Sequence, residues 1–138
     1  VNPPHNHFEV VIPSDYDSGQ AVVEQIMLDV AECGFSSRDL FGVRLAVDEA
    51  VTNAIKHGNR LSPDKTVRVL FSRNQSRIRI EVEDQGAGFH PEDVPDPTAD
   101  ENLDRPSGRG LLLMREFMTL IEYSPKGNQV VLEKHFSS

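Results

Sequence analysis

The segment Ser36–Gly58, SSRDLFGVRLAVDEAVTNAIKHG, restricts the fold more than any other part of the chain. Leu40, Val43, Val47, Ala50, Val51 and Ala54 recur at helical spacing and make one apolar stripe. Ser36 and Asp39 stand at capping-box spacing before it, and Gly58 stops it, which gives a helix of about six turns. A helix apolar along one side must be laid on another layer. Glu49 lies roughly opposite the centre of the stripe and by that reckoning belongs in solvent. Its own i+4 row, however, runs Phe41, Leu45, Glu49, Asn53, His57. The row begins like a buried face and ends like the wall of a polar pocket. A solvated face is the commoner origin of such a row.

The flanking segments supply the other layer. HFEVVIP reads as a strand with Phe8, Val10 and Ile12 on one face and Pro13 closing it. A helix follows, with Val22, Val23, Ile26, Val30 and Cys33 at helical spacing and Gly34 as its stop. TVRVLF and RIRIEVED alternate and pair as strands across SRNQS. GRGLLLMREFMTL reads as a third helix, and LIEYS and NQVVLEKHF as strands around the turn PKGN. This order predicts an α+β fold, a two-layer α/β sandwich with helices on one face of a mixed, mostly antiparallel sheet. The 138 residues suit a single domain, 1–138.

Composition narrows the function classes. The formal net charge of -8 disfavours direct nucleic-acid binding, which needs clustered Lys and Arg, and leaves a basic protein partner open. No apolar run is long enough to span a membrane, and the N-terminus has no signal-peptide pattern. The chain starts on Val1 in place of Met, which suggests trimming. A lone cysteine, Cys33, forms no disulfide within the chain and fits a reducing, cytoplasmic setting.

Two glycine motifs and one loop remain. EDQGAGF follows a strand and holds Asp84, Gly86 and Gly88. Glycines there permit a sharp turn or a close backbone approach, and the aspartate can accept a hydrogen bond from an amino group such as that of adenine. PSGRG opens the third helix with Gly108 and Gly110, where free N–H groups favour an anion. Alone, EDQGAGF reads better as a plain turn, and PSGRG reads also as a glycine-rich helix start with Ser107 as cap. Between them, residues 90–107 carry four prolines and six acids with no apolar period, the pattern of a lid or binding loop.

In combination, VDEAVTNAIKHGN, EVEDQGAGF and RPSGRGLLLMREFM resemble the GHKL (Bergerat-fold) ATPases, and among them the bacterial anti-sigma-factor serine/threonine kinases. The resemblance covers nearly the whole chain and implies a histidine-kinase-like ATPase fold that binds ATP and Mg²⁺, with an ATP lid at about 89–107. It assigns Glu49 as general base and Asn53 as the Mg²⁺ ligand beside the nucleotide. It assigns Asp84 to the adenine, with Gly86 and Gly88 letting the backbone approach. Gly108, Arg109 and Gly110 match the second glycine box at the phosphates, and Arg105 or Arg109, with Arg105 preferred, neutralises the γ-phosphate. His57 receives no step. The chain departs from the pattern at Asn128, where many relatives have Thr near the adenine, at Arg109 between the two glycines, and in the spacing of RPSG.

The implied partners are a STAS-type anti-anti-sigma protein, phosphorylated on Ser or Thr, and a sigma factor held inactive, with the chain acting as a homodimer. Two-component histidine kinases share this nucleotide site. The roughly 35 residues before the Glu49 helix leave no room for their paired dimerisation helices, which favours a stand-alone kinase acting on a separate protein. A catalytically inactive nucleotide-binding module and a stand-alone histidine-kinase-like ATPase domain are the alternatives.

Overall fold

The computed structural model describes residues 6–86 and 114–136. Strand β1 (Asn6–Pro13) leads into helix α1 (Tyr16–Val30), whose first turn is capped by Asp15 accepting from the Ser18 N–H at 2.7 Å. A 3₁₀ turn (Ala31–Cys33) and Gly34 in the left-handed region end it, as the glycine stop predicts. Helix α2 (Ser37–Asn53) begins where expected, with Ser36 Oγ accepting from the Asp39 N–H at 3.1 Å, and runs on as a π turn, Ala54–Gly58. Strands β2 (Thr66–Arg73), β3 (Arg77–Glu83), β4 (Leu120–Tyr123) and β5 (Gln129–His135) complete the chain.

The sheet has the order β1-β2-β3-β5-β4, and every pairing among the described strands is antiparallel. Register places Phe8, Phe71, Ile80, Leu132 and Ile121 in one row across it, and Val10, Val69, Val82, Val130 and Tyr123 in the next. Both rows face α1 and α2. Val22, Val23, Ile26 and Val30 of α1 and Val43, Val47, Ala50 and Val51 of α2 join them in one buried core. This is the two-layer α+β sandwich expected from the chain. The opposite face of the sheet is polar: Arg68 bridges Glu9 at 2.6 Å and Glu83 at 3.3 Å, and Arg79 bridges Glu81 and Glu133.

The third helix departs from expectation at its end. Residues 114–117 are helical, but Met118 and Thr119 are not, and Leu120 already belongs to β4. The helix expected from Gly108 therefore stops after Phe117, and its first turns, with Gly108, Arg109 and Gly110, lie outside the described residues. The stop has a physical cause. Lys134 Nζ donates to the Phe117 carbonyl at 2.6 Å and lies 3.7 Å from Asp39, so a cation caps the helix end. The Phe117 ring crosses α2 over Gly42, where an added Cβ would sit 2.1 Å from ring carbon, and the Arg38 guanidinium lies 5.4 Å from the ring centroid.

Gly42→Ala tests this crossing. Alanine improves intrinsic helix propensity by about 1 kcal/mol. Here it should nevertheless destabilise the protein by about 1–3 kcal/mol through overpacking against Phe117, read as a lower midpoint in urea with an unchanged slope.

Candidate functional site

The functional row of α2 is built by a change of helix type. After Asn53 the α-helical ladder gives way: the Asn59 N–H bonds to Ala54 O at 2.8 Å and the Leu61 N–H to Ile55 O at 2.9 Å. Such π turns occur often at functional sites. The chain leaves through Arg60 and Leu61, both in the left-handed region, at a cost of order 1–3 kcal/mol each. The Asn59 side chain, only 1% exposed, offsets that cost. Its Nδ2 donates to Ser14 Oγ and to Thr66 O, each at 2.8 Å, and its Oδ1 accepts from the Gln85 N–H at 2.8 Å.

Asn59 thereby draws the turn after β3 against the end of α2. The approach is so close that a Cβ on Gly86 would lie 1.8 Å from Gly58 O, and one on Gly58 would lie 2.3 Å from Asp84 Cγ. Glycine is required at both positions for steric reasons, which meets the sequence expectation of a close backbone approach at Gly86. Asp84 is buried between them. Its Oδ1 accepts from the Gly86 N–H at 2.7 Å, and burial pushes its carboxyl above the usual carboxylate range while that hydrogen bond opposes the shift.

Asp84 and Asn53 line one small open cleft of about 20 Å³, together with Tyr123 of β4 and Asn128 of the β4–β5 turn. Asn53 is 7% exposed; its Nδ2 donates to Glu49 Oε1 at 3.4 Å, and its Oδ1 is buried with no hydrogen-bond partner among the described residues. Burial pushes Glu49 up to about 7, against the hydrogen bond from Asn53 and with a small contribution from Asp48. Burial, and then the Glu49 carboxylate, likewise raise the Tyr123 phenol. His57, further along the same face, is half-buried. Burial, and then Lys56, hold its imidazole below the usual value, and its Nε2 has no partner among the described residues.

The structure therefore brings Glu49, Asn53, Asp84 and Gly86 together. Gly88, Arg105, Gly108, Arg109 and Gly110, and the lid at about 89–107, lie outside the described residues. The polar row is buried in the reverse sense to the sequence reading: Phe41 is 60% exposed, whereas Asn53 is buried. Three contributors were not singled out from sequence. Tyr123 read only as a strand residue, and Asn128 only as a turn residue departing from a family pattern. Asn59 follows a helix-stopping glycine, where a polar residue needs no special reason.

A half-buried carboxyl pushed up to about 7 makes a stability prediction. Between the ordinary value near 4.5 and about 7, folded Glu49 keeps a proton that the unfolded chain releases, so stability falls as pH rises through this window. Glu49→Gln should therefore be more stable than the parent at pH 8, by roughly 1–2 kcal/mol after allowance for solvent screening, and equal to it near pH 4.5. Urea titrations at the two pH values read the difference.

Comparison with known proteins places the chain in a family. Residues 12–134 match the histidine kinase-like ATPase domain. The chain is 35% identical over 115 residues to the anti-sigma F factor of Clostridium perfringens (strain SM101 / Type A), covering 79% of this chain and 81% of that protein. It is 36% identical over 114 residues to the anti-sigma F factor of Clostridium beijerinckii, covering 78% and 79%. It is 28% identical over 105 residues to the serine/threonine-protein kinase BtrW of Bordetella bronchiseptica, covering 73% and 74%. The crystal structure of the RsbU and RsbW domains of Rv1364c from Mycobacterium tuberculosis shares the fold, with a TM-score of 0.57 at 15% identity over 94% of this chain and 32% of that one. A family match over residues 12–134, and relatives 35–36% identical over most of their length, lead to one conclusion: the chain belongs to the histidine kinase-like ATPase domain family.

Proposed function

We propose that the chain is an ATP- and Mg²⁺-dependent serine/threonine protein kinase of the anti-sigma-factor type. Its substrate is a STAS-type anti-anti-sigma protein, its second partner is a sigma factor, and phosphorylation of the first controls capture of the second. The observation that carries this reading is the pair on α2: a Glu49 carboxyl that titrates near 7, one turn from an Asn53 amide whose oxygen is buried and unpartnered. The names of the relatives, anti-sigma F factor and serine/threonine-protein kinase, support it. The ATPase family itself implies an ATP site. Action in the cytoplasm as a homodimer completes the reading; no helix among the described residues is long and apolar enough to cross a membrane.

The residues divide the work. Asp84 Oδ1 is held by the Gly86 N–H, which leaves Oδ2 to accept from the adenine amino group. Asn53 Oδ1 is a neutral, hard oxygen of the kind that suits Mg²⁺, and its Nδ2 orients Glu49. When bound, Mg²⁺ neutralises charge on the phosphate oxygens. Glu49 accepts the proton of the incoming hydroxyl as the Ser or Thr oxygen bonds to the γ-phosphorus and the bond to ADP breaks. Arg105, from the lid, stabilises the charge on the transferred group.

A general base with this titration gives phosphotransfer that rises with pH through about 7, because only the deprotonated carboxylate accepts a proton. Glu49→Gln should retain ATP binding and lose phosphotransfer by about 10²–10⁴-fold. Radiolabelled ATP with a STAS-type protein, followed by acid treatment, is the assay. Acid-stable label on that protein is expected. Acid-labile label on this chain would move it to the histidine-kinase class. Nucleotide binding with no label on either protein would make it an inactive nucleotide-dependent binding module.

A further inference from the structure

Asp84 is fixed from two sides, and only one of them is the helix. On the other side its peptide group is held by a single residue. The Asp84 N–H donates to the Asn128 carbonyl at 2.8 Å, and the Asn128 side-chain Nδ2 donates to the Asp84 carbonyl at 3.1 Å. Asn128 thus grips both polar groups of the Asp84 main chain, one with its backbone and one with its side chain. Its remaining polar atom is used as well, since Oδ1 accepts from Ser124 Oγ at 3.3 Å. The side chain lines the cleft, yet every strong polar atom on it is directed at protein.

We infer that Asn128 is a positioning residue that sets base selectivity: its two bonds to Asp84 hold the carboxylate at a fixed depth in the cleft, where it accepts from an amino group and repels a carbonyl. This rests on the reading of Asp84 as the base acceptor. The physical argument concerns freedom of movement. The Asp84 carboxylate cannot recede toward α2, because Gly58 is already against it and Gly86 occupies its Oδ1. The open direction is away from α2, toward the β4–β5 turn, and Asn128 closes it. With the Asn128 side chain gone, only the backbone bond remains on that side. The turn can then retreat from a base that offers a carbonyl in place of an amino group, so a guanine is penalised less and an adenine is held less firmly.

The experiment compares ATP and GTP affinities by titration calorimetry for the parent, Asn128→Asp, Asn128→Ala and Ser124→Ala, with a melting temperature for each. Asn128→Asp keeps the shape and removes the donor. Ser124→Ala removes the bonds that close the β4–β5 turn, from the Gly127 and Gln129 N–H groups at 3.2 and 3.3 Å, and the bond to Asn128 Oδ1, while the Asn128 donor and both of its partners on Asp84 stay in place. The expected result is that both Asn128 variants bind ATP up to about tenfold more weakly, the worth of one hydrogen bond, while GTP changes little, so the ATP-to-GTP ratio narrows. Ser124→Ala should lower the melting temperature and keep the ratio. Asn128 variants that keep the parent's ratio, or a Ser124→Ala ratio that falls as far as theirs, overturn the inference while leaving Asp84 as the base acceptor. A parent that binds ATP and GTP equally overturns the Asp84 reading and the inference together.

Discussion

The side-chain amide of Asn59 is the tie on which the rest of the site depends. Four stretches meet at it: the end of α2, Ser14 before α1, Thr66 at the start of β2, and Gln85 after β3. Apolar packing would bring these segments close without fixing their direction. A buried amide with both hydrogens and its oxygen engaged fixes direction too, because any rotation leaves polar groups unsatisfied in a low-dielectric interior. Gln85 is the neighbour of Asp84, so the acid in the cleft takes its position from an amide that never enters it. Gln85 adds to the tie, since its Oε1 accepts from the Thr66 N–H at 2.8 Å.

The strands, the two main helices and their caps were legible in the sequence because their causes are local. Alternation wrote β2 and β3, Ser36 wrote the start of α2, and Gly34 wrote the end of the preceding helical segment. The environment of Glu49 was not legible from α2 alone. Helical period puts it opposite the apolar stripe, and it is half-buried with Tyr123 of the distant strand β4 nearby. Phe41 stands in the same row, opposite the buried stripe of Val43, Val47 and Ala50, and is 60% exposed. Asp84 and Gly86 could be marked from the sequence because a carboxylate and a glycine at that spacing limit what a turn can do. Asn59 could not, since asparagine suits any turn; Asn128 was marked only as a departure from a family pattern, and only the folded chain shows which atoms the two hold.

The core and the cleft are continuous. The row Val10, Val69, Val82, Val130, Tyr123 crosses all five strands, and its last residue has a polar tip that borders the cleft. Asn53 and Glu49 rest on the other layer, on a helix whose apolar stripe packs into the same core. The groups that meet in the cleft are thus carried by two layers held together by close packing.

The π turn between Asn53 and Asn59 has a consequence for how this chain can vary over time. A widened turn holds one residue more than an α-helical turn would need to cover the same rise. Deleting any one residue of Ala54–Gly58 would restore a regular helix, a gain by local criteria. It would also swing the amide of Asn59 away from Ser14, Thr66 and Gln85 and detach the Asp84 turn from the helix. Point substitutions along this stretch can be accepted or refused one at a time on their size. A change in length cannot, because it alters the phase of everything after it. The number of residues between the two asparagines is therefore under tighter constraint than the identity of most of them.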